Sequence, residues 1–143
     1  MIHFLYLYNI KDIYNKFYNT INILPATPQI IFDNTNNYFR VEANNAVLIT
    51  GSGITISPYQ WYHIAFVRSG STGYVYVNGV LVDTNTSATA SYTAENTFIG
   101  AHYNGSNVSF WNGYIPQVYI YLSEQSGTDV SNLFNNTKST YGL

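Results

Sequence analysis

The side chains able to do chemistry are few and scattered. Seven acids (Asp12, Asp33, Glu42, Asp83, Glu95, Glu124 and Asp129) and three histidines (His3, His63 and His102) stand among 143 residues, and there is no cysteine. Cleaving a glycosidic bond takes two carboxylates about 5–10 Å apart. On one strand that means acids at i and i+2 or i+4, and no two of the seven are so spaced. A pair assembled across strands has no support in the sequence, so the chain reads as non-enzymatic. The lack of Cys removes disulfides, thiol nucleophiles and Cys-ligated zinc together, and the histidines are too widely separated to suggest a zinc site. His63 lies among apolar and aromatic neighbours in Trp61-Tyr-His-Ile-Ala-Phe-Val67. It is expected to be structural, with its ring hydrogen-bonded to backbone.

Aromatic and amide groups are abundant where charge is not. The chain holds 15 Tyr, 8 Phe, 2 Trp and 18 Asn, and only 8% of it is charged. Sugar rings stack on aromatic faces and exchange hydrogen bonds with Asn, Asp and backbone amides. The segment His102-Tyr103-Asn104-Gly105-Ser106-Asn107, followed by Phe110-Trp111-Asn112, offers both groups. Tyr103, Asn104, Asn107 and Trp111 are therefore candidate carbohydrate contacts, with Trp111 and Tyr103 supplying the stacking. The plainer alternative is that Trp111 covers the core while the loop turns.

The same composition excludes other functions. Five basic residues and a net charge of −2 leave no patch for a phosphate backbone, so nucleic acid is not an expected partner. No apolar run approaches the length of a membrane span, and Ile2–Tyr8, without a preceding Lys or Arg or a small-residue cleavage site after it, does not read as a signal peptide. The 14 Ile and 18 Asn suggest an AT-rich genome, yet Lys occurs only at Lys11, Lys16 and Lys138. A neutral surface of Asn, Thr, Ser and Tyr suits an exported or particle-bound β protein.

One domain, 1–143, is expected at this length, with a β core over 31–143 and an atypical segment over 1–30. Runs of Val, Ile, Tyr, Phe and Thr broken by Asn, Gly and Ser predict strands at Tyr38–Ala43, Ala46–Thr50, Tyr62–Arg68, Gly73–Val77, Val80–Thr84, Asn96–Ala101 and Gly113–Tyr121. Asn78-Gly79 between good strand formers predicts a type I′ hairpin; with the turn at Gly70, Tyr62 to Val82 becomes a three-stranded meander. Bulky residues on both faces of Trp61–Val67 place that strand between layers, and Pro116 puts the last strand at an edge or bulged. Ile10, Ile13, Tyr14, Phe17 and Ile21 have helical spacing, so Asn9–Asn22 is a helix or an irregular loop. Ser126-Gly-Thr-Asp129 is suited to cap a short helix that buries Val130, Leu133 and Phe134. The predicted core is Trp61, Ile64, Phe66, Val75, Val77, Leu81, Phe98, Ile99, Ile115, Val118 and Ile120.

Four segments in order carry a resemblance. Trp61-Tyr-His-Ile-Ala-Phe-Val-Arg68, Tyr74-Val-Tyr-Val-Asn-Gly-Val-Leu-Val82, Phe98-Ile-Gly100 and Phe110-Trp-Asn-Gly-Tyr-Ile115 resemble the successive strands of the laminin G-like branch of the concanavalin A-like jelly rolls. The tail Asn132–Leu143 is similar to endings seen in phage members. The resemblance implies an all-β, two-sheet antiparallel jelly-roll sandwich. It also implies that two further strands usually precede the one Ile2–Tyr8 resembles, leaving that strand an open edge for self-association or a place on a virion, with residues 1–30 at the contact; the plainer alternative is that Asn9–Asn22 folds back and covers the edge within one chain. Many relatives bind calcium, but here Asn78 stands in the hairpin turn for its backbone, and only Asp83 with Asn85 forms another cluster; no cofactor is expected, and calcium has no support beyond the resemblance. The functional expectation is a non-enzymatic phage structural protein, a capsid decoration or fibre component, partnered by virion proteins, its own copies or glycans. The alternative is a free-standing secreted or surface carbohydrate-binding module.

Overall fold

The computed structural model describes residues 3–10, 19–21, 29–33, 35–43, 46–89, 99–103, 108–111 and 113–143. Its strands are β1 (His3–Ile10), β2 (Asn19–Ile21), β3 (Gln29–Asp33), β4 (Tyr38–Ala43), β5 (Ala46–Thr50), β6 (Trp61–Ser69), β7 (Thr72–Val77), β8 (Val80–Asn85), β9 (Ala101–Tyr103), β10 (Val108–Phe110), β11 (Gly113–Tyr114) and β12 (Val118–Tyr121). A helix, α1 (Gly127–Thr137), and a 3₁₀ turn, Lys138–Tyr141, end the chain.

Two antiparallel sheets face each other, as in a concanavalin A-like jelly roll. The larger runs β11-β1-β6-β7-β8, with β12 also on β1, and the smaller runs β2-β3-β4-β5. The β9–β10 hairpin lies beside β2. Between the sheets pack Ile30, Phe32, Phe39, Val41, Leu48, Ile49 and Ile56 with Tyr62, Ile64, Phe66, Val75 and Val77. Period-two alternation explains the partition: on β4, Phe39, Val41 and Ala43 are buried while Tyr38, Arg40 and Glu42 are partly exposed.

The meander is built as its turns require. Asn78 (φ 50°) and Gly79 (φ 75°) both take the left-handed backbone of a type I′ turn, which pairs Val77 with Val80. β6 is central, paired with β1 and β7, and is buried on both faces. Its odd-numbered side carries a second layer, in which Ala65, Val67 and Tyr76 pack with Val130 of α1 and with Leu133 and Tyr119. Helix α1 begins in the expected capping box: Ser126 Oγ accepts from Asp129 N–H, and the Asp129 carboxylate accepts from Ser126 N–H.

Four expectations need correction. The N-terminal strand is not an edge. β1 has β6 on one side and β12 and β11 on the other, so the edge on which assembly through residues 1–30 was argued is already filled from within the chain. The Asn9–Asn22 helix is absent where the chain is described: Asn9 and Ile10 end β1 and 19–21 pair with β3, while 11–18 lie outside the described residues. The run Gln29–Asp33, buried at every position, is a strand the sequence reading passed over. Finally, Leu81, Ile99 and Ile120 are exposed rather than core, and Trp61 is only partly buried. Leu81 and Ile120 lie on the outermost strands, β8 and β12, where one face of the ladder meets solvent. Phe98 lies outside the described residues.

The Pro116 argument holds in detail. Tyr6 pairs with Val118 and Asn9 with Tyr114, so two residues of β1 face three, Ile115–Gln117. One extra residue is bulged out at the proline, on an edge strand.

Candidate functional site

The Tyr103 and Trp111 positions are brought onto one hairpin but set apart along it. Tyr103 pairs with Val108 at the far end of the β9–β10 ladder, and Ala101 pairs with Phe110 at the near end. Trp111 follows one rung further on, where its N–H donates to Gly100 O at 2.8 Å. Three rungs at 3.3 Å each separate Tyr103 from the Trp111 level by roughly 10 Å. Trp111 is partly buried and packs against the inter-sheet core, as the plainer reading expected. Asn104 and Asn107 lie outside the described residues.

A different set of aromatic side chains converges at one end of the large sheet. Asn9 pairs with Trp61 on one side and with Tyr114 on the other, so the three residues form one row across β6, β1 and β11. The Trp61 and Tyr114 rings approach to 6.3 Å between centroids, and the Trp61 ring lies 5.1 Å from that of Tyr141 in the 3₁₀ turn. Helix α1 covers the row of Ala65 and Val67 but stops short of this end. Tyr114 is 53% exposed, and Trp61 and Tyr141 are partly exposed. The result is an aromatic surface open to solvent and fixed by sheet register. Sequence reading missed it because residues 61, 114 and 141 are distant in the chain. Trp61, at the start of an apolar strand, was assigned to the core.

The charged groups are arranged for structure. Asp33 accepts hydrogen bonds from Thr35 N–H, Asn36 N–H, Asn36 Nδ2 and Arg40 Nη1. Burial opposes its ionisation, but the bonds from Asn36 and Thr35 and the Arg40 charge outweigh that and hold the carboxyl below its usual range. Arg40 Nε also lies 2.7 Å from Glu42 Oε1, a close ion pair at an angle too bent for a hydrogen bond. An acid kept ionised in this way cannot donate a proton to a leaving group. Asp83 accepts from Thr84 N–H and Thr50 Oγ1, and Asn85 Nδ2 donates to Leu48 O while its Oδ1 accepts from Ser87 N–H. The cluster considered for calcium thus ties β8 to β5. Among the described residues no three of His, Asp or Glu come together around a metal-sized space.

His63 is structural, though its ring makes no well-aligned hydrogen bond to backbone. The side chain is fully buried, among the described residues neither ring nitrogen has a partner of good geometry, and the ring's approach to its own backbone only partly offsets burial. The contacts to Asn78 are made by the His63 backbone instead, N–H to Oδ1 at 3.0 Å and C=O to Asn78 N–H at 2.8 Å. The imidazole packs 5.5 Å from the Phe134 ring, and burial lowers its pKa to about 4.

With this geometry in place, the comparisons with known proteins are informative. A laminin G model described as the concanavalin A-like lectin/glucanases superfamily matches residues 19–131. The chain belongs to this superfamily. A search of curated proteins gives no match. Among solved structures, a proposed carbohydrate-binding protein from Bacteroides ovatus superimposes with TM-score 0.71 at 13% identity, over 91% of this chain and 39% of that one. Domain 4 of AbnA, an extracellular arabinanase of Geobacillus stearothermophilus, in complex with arabinotriose, gives 0.66 at 17% identity, over 92% and 65%. A heptameric SAP-like pentraxin from Limulus polyphemus gives 0.66 at 16% identity, over 93% and 69%. At such identities the likeness establishes the fold. The chain spans less than half of the Bacteroides protein, so that protein's activity does not transfer with it. Among the described residues no helix is long and apolar enough to cross a membrane.

Proposed function

We propose that this chain is a non-catalytic carbohydrate-binding module, secreted or displayed at a surface. The observation that carries the reading is the open Trp61–Tyr114–Tyr141 surface on a lectin-type sandwich. Stacking on a fixed aromatic face needs no catalytic groups and little charge, which matches a chain with 8% charged residues. Neighbours that are named for carbohydrate binding or hold a trisaccharide support the same class of ligand. The family and its neighbours offer nothing that favours a virion component over a secreted or surface module, so the second is adopted.

The hairpin of Tyr103, Asn104, Asn107 and Trp111 is the competing location for the sugar. Glycan-array screening followed by calorimetry on two variants separates them. Trp61→Ala is expected to weaken binding about tenfold or more, a loss of roughly 1.4 kcal/mol, with the fold retained. Trp111→Ala is expected to act on stability, because its ring packs on the core. Binding lost in Trp111→Ala at unchanged stability would move the site to the hairpin, and no glycan bound by the wild-type chain would overturn the reading.

A further inference from the structure

The loop that leads into Trp61 holds a side chain that the fold does not account for. Tyr59 has φ 62°, a left-handed backbone that a bulky L-residue rarely adopts. The other described positions with such a backbone are filled by Asn37, Asn78 and glycines, among them Gly70, Gly79, Gly100 and Gly142. In a chain with 18 Asn and 10 Gly, Tyr59 is the one bulky residue among the described residues placed there. Burial does not offset the strain, because Tyr59 is 70% exposed.

The turn is nevertheless held firmly. The hydroxyl of buried Tyr62 accepts from Ser57 N–H at 2.9 Å and donates to Gln60 Oε1 at 3.2 Å, gripping the Pro58–Tyr59 turn from both sides. Just upstream, buried Ile56 donates its N–H to Asn37 O at 2.8 Å. A strained residue kept in place by its surroundings, with its side chain in solvent, points to a role outside folding. A single residue, Gln60, separates Tyr59 from Trp61, so their Cα atoms are at most about 7 Å apart, within reach of one sugar residue.

Charge narrows the ligand. No Asp, Glu, Lys or Arg occurs from Ala46 to Val67 or from Val108 to Ser123, the segments that carry Tyr59, Trp61 and Tyr114, and β1 adds Asn9 and Ile10 between them. In the 3₁₀ turn, Lys138 Nζ is directed over the Phe134 ring, 5.5 Å from its centroid. The described segments around Tyr59, Trp61 and Tyr114 offer no cation to pair with a carboxylate or sulfate.

Resting on the carbohydrate reading, we propose that Tyr59 is a ligand-contact residue: its clamped turn holds an exposed aromatic residue beside Trp61, and the two select a neutral saccharide over an anionic one. Holding the backbone in advance lowers the ordering cost of binding.

The test uses the full chain, an array of neutral, sialylated and uronate-bearing glycans, and calorimetry with the best neutral oligosaccharide found. Tyr59→Phe should bind within about threefold of wild type, while Tyr59→Gly and Tyr59→Asn should lose about tenfold or more. Both of the latter should also melt no lower than wild type and as much as about 2–4 °C higher, because the left-handed strain is relieved. Full affinity in Tyr59→Gly and Tyr59→Asn would overturn the inference and leave the carbohydrate reading standing, as would a fall in their melting temperature or a preference for the anionic glycans. A wild-type chain that binds no glycan would overturn both.

Discussion

The two faces of β6 are buried by different means. Toward the other sheet, Tyr62, Ile64 and Phe66 meet β3, β4 and β5 in an apolar core. On the outward face, Ala65 and Val67 lie under α1 and His63 against its Phe134, while Trp61 is left partly open beyond it. The inner face is closed by a whole sheet and the outer by one 11-residue helix, which cannot cover the full length of a nine-residue strand and its neighbours. That incomplete cover exposes the aromatic end of the sheet. The inner face is where the fold is secured; the outer face is where a ligand can be met.

The sharpest way to break this contrast is on the inner side. Phe66 is fully buried between the sheets, so Phe66→Ala should cost about 3–5 kcal/mol, read by urea denaturation. A loss near 1 kcal/mol would mean that the inner core is no more demanding than the helix-covered layer.

The second prediction tests the outer layer through pH. His63 in the folded protein has a pKa lowered from 6.5 to about 4 by burial, so between these values the unfolded chain binds the extra proton. Stability is therefore full above about pH 6.5, falls as pH drops toward 4, and levels off in this respect below it. The loss is about 3 kcal/mol. Asp33, whose pKa is lowered instead, contributes stability that is lost only below its ordinary value of 3.8, outside that window. In His63→Leu the slope between pH 6.5 and 4 should largely vanish. Stability at neutral pH should hold or rise, since a buried ring with no well-aligned hydrogen bond is removed. An unchanged slope in His63→Leu would assign the proton uptake elsewhere.

What could be read from the sequence follows the same division. The strand β4 and the inner core residues Ile64, Phe66, Val75 and Val77 of β6 and β7 were legible because runs of strand formers and the Asn78-Gly79 turn are local signals, and the capping box at Ser126 is another. The pairing of β1 with β12 was not, because it joins residues near opposite ends of the chain, and the open edge that the resemblance implied disappeared with it. Gln29–Asp33 was hidden because it is buried at every position and so shows no period-two alternation. The aromatic surface was out of reach for the same reason as the β1 pairing: Trp61, Tyr114 and Tyr141 become neighbours only through register across β1 and the return of the C-terminal turn. Tyr59 is subtler still, since its backbone conformation contradicts its residue type.

The smallest expected effect bears on how the helix closes the outer layer. Gly79 serves two demands at once. Its φ of 75° suits the hairpin turn, and a Cβ there would sit 2.9 Å from Phe134 Cδ1, nearer than carbon atoms pack. Gly79→Ala should therefore cost about 2 kcal/mol, part from left-handed strain and part from pushing α1 off the hairpin. A double-mutant cycle divides the two. In a Phe134→Ala background the contact is gone, so Gly79→Ala should lose only the strain portion, about 1 kcal/mol. If the cost is the same in both backgrounds, the helix does not bear on the turn, and the outer layer is looser than the inner by more than its smaller cover requires. If the cost shrinks, α1 is seated on the β7–β8 turn, and the place where it ends, short of Trp61, is fixed by that seat.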